Sequence, residues 1–241
     1  MNVDMDKTLK RRILHFFFPN RCPVCDAVIG AMDTFCDECS GKLQPFTGSF
    51  TIKDAAGTAA AFVYDRNISP AVMLLKNGVC GNAAYALGKA LAVKLRESGI
   101  AEKADIIVPV PLHKSDKRIR GYNQAFLIAR ELSDELGLPV GEGIVIKSRR
   151  THQQKRLNRH LRLINLKDAF AVPEASLVWD KSIILVDDVC TTGTTLGKVT
   201  SLLLENGAKA VYCAACCKTP ALKKTSDEEN PVQQNLTSTA K

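Results

Sequence analysis

A short apolar segment followed at once by acidic and hydroxyl residues lies near the end of the chain. Residues 183–186 read Ile-Ile-Leu-Val, a continuous hydrophobic run that is typical of a strand buried on both faces of a sheet. From Thr195 to Asn206 the apolar residues recur at helical spacing, and Gly207 follows as a helix stop. The residues between these two patterns, 187–194, are therefore predicted to form a strand-to-helix turn.

The same alternation of strand and helix patterns covers most of the chain. Strands are predicted at 59–64, 105–108, 144–146 and 211–217, and helices at 82–98 and 121–136. Strands that alternate with helices are typical of βαβ units built around a parallel sheet. The sequence thus predicts an α/β domain over residues 49–219, with a central, mostly parallel sheet flanked by helices.

The two ends of the chain depart from this pattern. Three basic residues, 10–12, precede the apolar run 13–18, which ends at Pro19. This run is too short for a membrane span and lacks a cleavage site of small residues, so it predicts an amphipathic helix that docks on the body without membrane insertion. From Lys218 onward the sequence is polar and lacks apolar periodicity. Residues 220–241 are therefore predicted to be a disordered tail.

Cysteine spacing predicts a small metal-binding module within residues 1–48. Cys22 and Cys25 form one CxxC pair and Cys36 and Cys39 form a second, with ten residues between the pairs. Two such knuckles complete a tetrahedral site of four thiolates, and a closed site of this kind indicates structural zinc. An iron centre with the same ligands and a pair of redox-active CxxC motifs are the alternatives.

The remaining cysteines lie in apolar stretches and are predicted to be buried in the core. They are Cys80, Cys190, Cys213, Cys216 and Cys217. Nine cysteines without a secretion signal predict a cytoplasmic protein that keeps its thiols reduced or bound to metal.

The predicted turn at 187–194 has the composition of a sugar-phosphate site. Ligands of parallel sheets bind at the carboxyl ends of the strands, and a helix N-terminus with a nearby glycine accommodates phosphate. Asp187 and Asp188 would repel that phosphate, so we expect them to accept hydrogen bonds from sugar hydroxyls or to help hold Mg²⁺. The alternative is an N-capped helix after a buried strand, with acids that are merely solvated.

A basic stretch lies between Gly143 and Lys167, where there are eight Lys or Arg residues and no Asp or Glu. Exposed charged surfaces usually mix both signs, so this stretch predicts contact with a diphosphate or a nucleic-acid backbone, and a soluble surface loop is the alternative. Arg118 and Arg120 form a second basic element, and Tyr122 beside them would stack on a base or pack in the core. The net charge of +8 also suits an anionic partner.

Residues 183–195 resemble the signature of type I phosphoribosyltransferases, which bind 5-phosphoribosyl 1-diphosphate (PRPP). Cys190 departs from the usual aliphatic residue, although a small buried thiol fills the same role. With the CxxC pairs, the ordered segments 109–112, 120–125 and 151–165 resemble the ComF family of bacterial competence proteins. The resemblance covers most of residues 19–220 and implies a type I phosphoribosyltransferase fold behind an N-terminal zinc module.

The resemblance also implies roles for individual residues. Asp187 and Asp188 would be the catalytic pair that meets the ribose hydroxyls, with Mg²⁺ accompanying PRPP. The 5-phosphate would be wrapped by the residues that follow, which are Thr191, Thr192, Gly193, Thr194 and Thr195. A flexible loop closing over the diphosphate would contribute Arg149, Arg150, Thr151, Gln154 and Arg162. The resemblance implies a role in handling imported single-stranded DNA, with a competence helicase as a candidate partner. From the charge of the basic stretch and of the element before it, we expect the DNA to contact Arg118, Arg120, Lys155, Arg156 and Arg159.

Two functions are compatible with these patterns. One is a ComF-type protein that binds PRPP and single-stranded DNA during DNA uptake. The other is an active phosphoribosyltransferase of nucleotide metabolism, which would transfer phosphoribose to an unknown nitrogen acceptor. Either the basic stretch or the zinc module could carry the DNA, and the sequence predicts neither the acceptor nor the oligomeric state.

Overall fold

The computed structural model of the 241-residue chain describes residues 3–77, 81–112, 118–147 and 170–220. Its helices are α1 (Val3–Phe17), α2 (Asp37–Ser40), α3 (Ser69–Lys76), α4 (Gly81–Glu97), α5 (Gln124–Leu136) and α6 (Thr194–Glu205). Its strands are β1 (Gly57–Val63), β2 (Ile106–Pro109), β3 (Ile146–Lys147), β4 (Phe170–Ala171), β5 (Ser182–Cys190) and β6 (Ala210–Lys218). Among the helices in these ranges, none has the length and apolar character needed to cross a membrane.

Four parallel strands form the central sheet, in the order β1-β6-β5-β2. β5 lies between two neighbours, with Ile183 opposite Val211 of β6 on one side and Ile106 of β2 on the other. Because β5 is paired along both edges and covered on both faces, residues 183–186 are completely buried. The prediction of a parallel α/β sheet flanked by helices is confirmed.

Helices cover the two faces of this sheet. Ile184 of β5 belongs to the apolar cluster formed with α3, α4 and α5, where Leu91 and Ile128 are fully buried. Ile183, the preceding residue of β5, belongs to a second cluster that contains Leu203 of α6. This layering brings the carboxyl ends of β2 and β5 to the same edge of the sheet as the first turns of α5 and α6.

β5 and β6 extend further than the hydrophobic pattern predicts. β5 continues to Cys190, so Asp187 and Asp188 lie in the strand rather than in the turn after it. Lys218, which lies beyond the strand predicted at 211–217, is the last residue of β6 and pairs with Cys190. The physical reason is the parallel ladder, since pairing between backbones continues past the point where the side chains stop being apolar.

Two further boundaries also differ from the predictions. α5 begins at Gln124 instead of residue 121, because Gly121 has a φ of 82° and the Asn123 side chain caps the helix. The strand predicted at 144–146 is shifted to Ile146–Lys147, and it pairs antiparallel with β4 in a separate two-stranded sheet.

The four cysteines outside the CxxC pairs that the structure describes are core residues, as predicted. Cys190 is 2% exposed, and Cys213, Cys216 and Cys217 are fully buried. Burial raises the pKa of Cys213 to about 11, so this thiol stays protonated at neutral pH. Cys80 and the predicted tail from residue 221 onward lie outside the described residues.

Among the described side chains of α1, a basic residue makes the contact with the helices of the body. The Arg11 guanidinium lies 3.3 Å from the centre of the Tyr85 ring and 3.9 Å from the Glu131 carboxylate. The apolar side of the helix stays in solvent, since Ile13 is 55% exposed and Phe16 is 83% exposed. The docking predicted from the amphipathic pattern is thus made by a basic side chain and not by the hydrophobic face.

The N-terminal module covers the outer edge of the central sheet. Residues 44–46 run antiparallel to β1, and the Phe46 N–H donates to the Ala61 carbonyl at 2.9 Å. Phe35 packs edge-on against Phe62 of β1, with 5.9 Å between ring centroids. An exposed edge strand is a template for unwanted pairing, so this contact both protects β1 and couples the module to the sheet.

Candidate functional sites

The four sulfurs of Cys22, Cys25, Cys36 and Cys39 all lie within 4.8 Å of one another. Cys25 Sγ and Cys36 Sγ are 3.6 Å apart, which is far too long for a disulfide bond. A tetrahedral zinc with Zn–S bonds of about 2.3 Å needs sulfurs about 3.8 Å apart. The donor set and its spacing therefore fit one tetrahedral metal ion.

Local backbone structure holds each half of this site. In the first knuckle, the N–H of Asp26 donates to the Cys22 carbonyl at 2.9 Å, and Asp26 takes a left-handed φ of 64°. In the second, Cys36 is the N-cap of α2, and the N–H of Cys39 donates to Cys36 Sγ at 3.4 Å. Both turns follow from the CxxC spacing and were foreseen from it.

The thiols of the cluster differ in acidity because their surroundings differ. Burial raises the pKa of Cys39, and hydrogen bonding to the neighbouring thiols raises it further. Burial acts in the same direction on Cys22, but backbone N–H groups, led by that of Cys36, outweigh it and lower the pKa of Cys22 to about 7. A bound dication would let all four sulfurs ionise together, as thiolate ligation requires.

The second site is built on the last residues of β5. The strand carries Asp187 and Asp188 to the carboxyl edge of the sheet, where both are partly exposed. The N–H of Asp188 donates to Asp187 Oδ1 at 2.9 Å, and the N–H of Val189 donates to Asp188 Oδ1 at 2.7 Å. These bonds orient both carboxylates and leave further acceptor positions available for a ligand.

The turn after β5 forms a small concave cradle of about 40 Å³, lined by Asp187 and by residues 189–196. Gly193 has a φ of 76°, and a Cβ atom added there would collide with the Ile52 side chain, so the position requires glycine. The Thr192 and Thr194 hydroxyls lie 2.8 Å apart. With the N-terminus of α6 beside them, these donors are arranged to receive a phosphate.

The two carboxylates differ in their electrostatic surroundings. Burial raises the pKa of Asp187 well above its usual value, and the charge of Asp188 raises it further. Lys76, at the end of α3, places its ammonium group 3.3 Å from Asp188 Oδ2. The site therefore combines an ion-paired carboxylate with one that holds its proton more tightly than an exposed aspartate does.

A second cavity, of about 200 Å³, lies on the other side of the carboxylates. It is lined by Asp187, Asp188, Lys76, Arg120 and Gln124, together with the residues that follow β2. Asp187 thus belongs to the walls of both cavities. Arg120, predicted as a nucleic-acid contact, is brought to this cavity by the fold.

The other predicted contacts are distributed unevenly. Arg118 is exposed, and the Tyr122 hydroxyl donates to the Leu75 carbonyl at 2.7 Å, which favours packing over base stacking. The remaining basic and loop residues fall outside the described residues, and they are Arg149, Arg150, Thr151, Gln154, Lys155, Arg156, Arg159 and Arg162. Their assigned roles stay predictions.

Sequence reasoning gave no role to three residues that the fold brings to the site. Lys76 and Gln124 lie far from Asp188 in the sequence, and spacing alone shows no link between either residue and Asp188. Lys218 Nζ donates a hydrogen bond to the carbonyl of Thr191 at 2.7 Å and so helps to hold the backbone of the cradle in place. The sequence contains no indication of this role, because Lys218 begins the polar part of the chain that lacks apolar periodicity.

Two known domain families match the sequence. The phosphoribosyl transferase domain matches residues 81–236, which is well over half of the chain, and the double zinc ribbon domain matches residues 13–53. The first contains the β5 turn and the second contains all four clustered cysteines. The zinc ribbon match and the sulfur geometry together support structural zinc.

Similarity to individual proteins narrows the assignment. The chain is 32% identical over 202 residues to the DNA utilization protein YhgH of Escherichia coli strain K12, covering 82% of this chain and 84% of that protein. The chain belongs to the ComF family. This ComF-family protein is also 28% identical over 207 residues to competence protein F of Haemophilus influenzae, covering 82% and 90% of the two chains. It is 31% identical over 109 residues to competence protein ComFC of Bacillus subtilis, covering 45% and 42%.

Proposed function

We propose that this ComF-family protein binds PRPP with Mg²⁺ at the ends of β2 and β5 and handles single-stranded DNA during DNA uptake in the cytoplasm. The PRPP proposal depends on the position of Asp187. This residue lines both the cradle and the second cavity, which has a volume of about 200 Å³. Two sites suited to anions, joined by a pair of carboxylates, match a ligand with hydroxyl groups between two phosphate ends.

In this proposal the 5-phosphate occupies the cradle at residues 191–195. The ribose hydroxyls donate to Asp187 and Asp188, whose remaining acceptor positions face this edge of the sheet. Mg²⁺ bound with PRPP neutralises part of the diphosphate charge. The free backbone N–H groups in the first turn of α6 supply the hydrogen-bond donors for the 5-phosphate.

The basic stretch is anchored next to the cradle. Lys147 of β3 pairs with Phe170 of β4. The two residues that flank the 22-residue segment 148–169 therefore lie next to each other. Phe170 lines a cavity together with Thr192 and Gly193. This position supports a role for residues 148–169 as the loop that closes over PRPP.

The charge of the segment that carries the four cysteines argues against that segment as the DNA surface. Between residues 20 and 43 there are two basic and four acidic residues, so the formal charge is 2 − 4 = −2. Zinc with four thiolates adds a further charge of about −2. Arg21 and Lys42 are also committed to local ion pairs, at 3.2 Å with Asp26 and 2.6 Å with Glu38. Phosphate contacts require unneutralised positive charge, so the proposal assigns DNA to the acid-free basic stretch.

A transferase of nucleotide metabolism is the second candidate, and it differs in requiring turnover. The test is to add PRPP and Mg²⁺ to the full chain and to measure both thermal stabilisation and diphosphate release. The proposal expects stabilisation of the protein by PRPP and salt-sensitive binding of an oligonucleotide. Diphosphate release that requires a nitrogen acceptor and does not depend on DNA would favour the transferase. If PRPP had no effect on stability and released no diphosphate, both proposed functions would be refuted.

A further inference from the structure

The linker between the zinc module and β1, residues 50–54, packs against the cradle at the β5 turn. Ile52 is 8% exposed and belongs to the same apolar cluster as Cys190, the last residue of β5. A Cβ atom added at Gly193 would collide with the end of the Ile52 side chain, and one added at Gly197 would lie 3.7 Å from Ile52 Cγ2. Ile52 therefore lies directly against the left-handed turn that forms the cradle.

Two polar contacts attach the same linker to the residues around the turn. The Ser201 hydroxyl of α6 donates to Asp54 Oδ2 at 2.7 Å. Lys218 Nζ lies 5.7 Å from the centre of the Phe50 ring and donates to the carbonyl of Thr191 at 2.7 Å. The linker thus contacts the helix that follows the cradle and, through Lys218, the residue that begins it.

The other end of the linker is attached to the zinc module. The N–H of Leu43 donates to the carbonyl of Cys39, one of the four clustered cysteines, at 3.2 Å. The next residues, 44–46, pair with β1, and the Phe46 ring packs edge-on against Phe50 with 5.6 Å between centroids. A continuous set of contacts therefore leads from the cysteine cluster to the cradle.

The turn at Gly193 depends on such support for a physical reason. Glycine has more backbone freedom than any other residue, so a turn built on it loses more conformational entropy when it is ordered. Backbone N–H groups that are held in place before a phosphate arrives bind it more tightly than groups that must first be ordered. Ile52 restricts the turn in the free protein. A zinc module without its metal has little core to keep it folded, and its unfolding would release the linker.

We propose that Ile52 is a positioning residue for the cradle and that residues 50–54 couple metal binding at the four cysteines to phosphate binding at the β5 turn. This inference rests on the proposed function, because it takes the 5-phosphate of PRPP as the ligand of the cradle. Coupling between two binding sites is reciprocal. A metal-loaded module that raises the affinity for phosphate therefore requires that bound phosphate raise the affinity for zinc by the same factor.

The first test measures binding of PRPP and of ribose 5-phosphate, each with Mg²⁺, by calorimetry on the full zinc-loaded chain. Ile52→Ala should weaken both ligands by the same factor, at least about 5-fold, since both carry the 5-phosphate and this is the lower end of the usual coupling between sites. Ile52→Val keeps Cγ2 beside Gly197 and should retain more of the affinity than Ile52→Ala.

The matched control is Ile183→Ala, the same substitution at a fully buried position of the same apolar cluster. Ile183 lies seven residues before Cys190 along β5, which places it about 20 Å from the cradle. This variant should lower Tm at least as much as Ile52→Ala and change both affinities by less than about 2-fold. If either alanine variant fails to fold, Ile52→Val and Ile183→Val give the same comparison with a smaller loss of packing.

The second test measures zinc affinity by equilibrium competition with a chromophoric chelator. Ribose 5-phosphate is the probe, because the diphosphate of PRPP would itself bind zinc. Saturating ribose 5-phosphate should raise the zinc affinity of the wild type by at least about 5-fold, ribose without a phosphate should leave it unchanged, and Ile52→Ala should lose most of the increase.

The outcomes separate this inference from the proposed function. Loss of affinity for both ligands in the Ile52 variants but not in the Ile183 variants, together with the increase in zinc affinity, would support it. Equal effects of the Ile52 and Ile183 variants, or a zinc affinity that ignores ribose 5-phosphate, would overturn it while leaving the PRPP site in place. A wild-type protein that bound neither PRPP nor ribose 5-phosphate would refute the proposed function itself.

Discussion

The zinc module and the β5 site are both clusters of ionisable side chains, but they are assembled in opposite ways. The four cysteines lie within 18 residues of chain and face one another, with sulfurs no more than 4.8 Å apart. The β5 site draws Lys76, Gln124 and Asp188 from three separate elements. In the first, every ligand is used by the metal. In the second, the Gln124 amide donor has no hydrogen-bond partner among the described residues.

This difference separates a structural centre from a binding site. Four thiolates complete the coordination of zinc and leave no position for a substrate. The second cavity beside Asp187 is lined instead by Gln124, whose amide has no hydrogen-bond partner in the described part of the chain, and such a group costs stability unless a ligand pairs with it. The two regions are still coupled, because the chain that leaves the zinc module pairs with β1.

Loss of the metal should have the largest effect and would test whether the module is only structural. Cys39→Ala removes a buried ligand and is expected to reduce the zinc content from about one ion per chain towards zero. Several kcal/mol should be lost, so Tm should fall by at least about 10 °C. Elemental analysis and differential scanning calorimetry measure the two effects.

Cys213→Ala is the control for this substitution, since it removes a fully buried sulfur that lies outside the cluster. It should keep the zinc and lower Tm by only a few degrees. Full zinc content in Cys39→Ala, or disulfides in place of metal in protein purified without chelator, would refute the assignment.

Removing a carboxylate should affect the second region without disturbing the first. PRPP at about 100 times its Kd stabilises the folded state by about 2.7 kcal/mol, which corresponds to about 5–10 °C in Tm. Asp188→Asn should at least halve this shift, and the Asp187→Asn/Asp188→Asn double variant should abolish it. Thermal melts with and without PRPP and Mg²⁺ measure the difference.

Cys190→Val serves as the matched control, because Cys190 is a buried neighbour of the pair that offers no oxygen to the ligand. Its ligand-induced shift should fall by less than that of Asp188→Asn. Equal shifts in the wild type and the double variant would show that PRPP does not use these carboxylates.

The salt dependence of DNA binding tests which region carries the nucleic acid. A single strand loses affinity with a log–log slope of about −0.7 for each phosphate contacted. Replacing Lys155, Arg156 and Arg159 by Ala should make the slope shallower by about 2, with no change in sequence preference. Fluorescence anisotropy between 50 and 200 mM salt is the measurement.

Arg21→Ala/Lys42→Ala, in the acidic zinc module, should leave that slope unchanged. If this variant lost the salt dependence while the triple variant kept it, the module would be the DNA surface. Undetectable binding by the wild type at moderate salt would confine the basic stretch to PRPP.

The smallest expected effect is the decrease in folding stability that the Asp187 carboxyl causes in the ligand-free protein. Since its pKa is raised in the folded protein, the folded state binds a proton that the unfolded state has released, and stability falls as pH rises through this interval. Asp187→Asn replaces the carboxyl group, whose pKa is raised, with a neutral amide, and it should raise Tm of the ligand-free protein by about 2–4 °C at neutral pH. Thermal melts across the pH range test this.

The gain from Asp187→Asn should vanish in acid, below the usual pKa of aspartate, where the carboxyl is protonated in both states. Asp180→Asn changes an exposed carboxyl and should show no such pH-dependent gain. A wild type that is more stable than Asp187→Asn at neutral pH would contradict this interpretation of the buried charge.

Several features follow from local sequence, because the interactions behind them act between near neighbours. The CxxC spacing places two sulfurs on each knuckle, and Gly193 allows the turn that no residue with a Cβ could make. The apolar run 183–186 predicts a strand buried on both sides. These patterns were enough to predict the parallel fold.

The tertiary structure alone decided which distant residues meet. Backbone pairing with β6 drew Asp187, Asp188 and Lys218 into regular strands, although their side chains are polar. The packing of α3 and α5 on one face of the sheet brought Lys76 and Gln124 to the carboxylates. The spacing of apolar residues predicts which side of a helix or strand is buried. It does not predict which other element packs against that side, because tertiary contacts depend on how the whole chain packs.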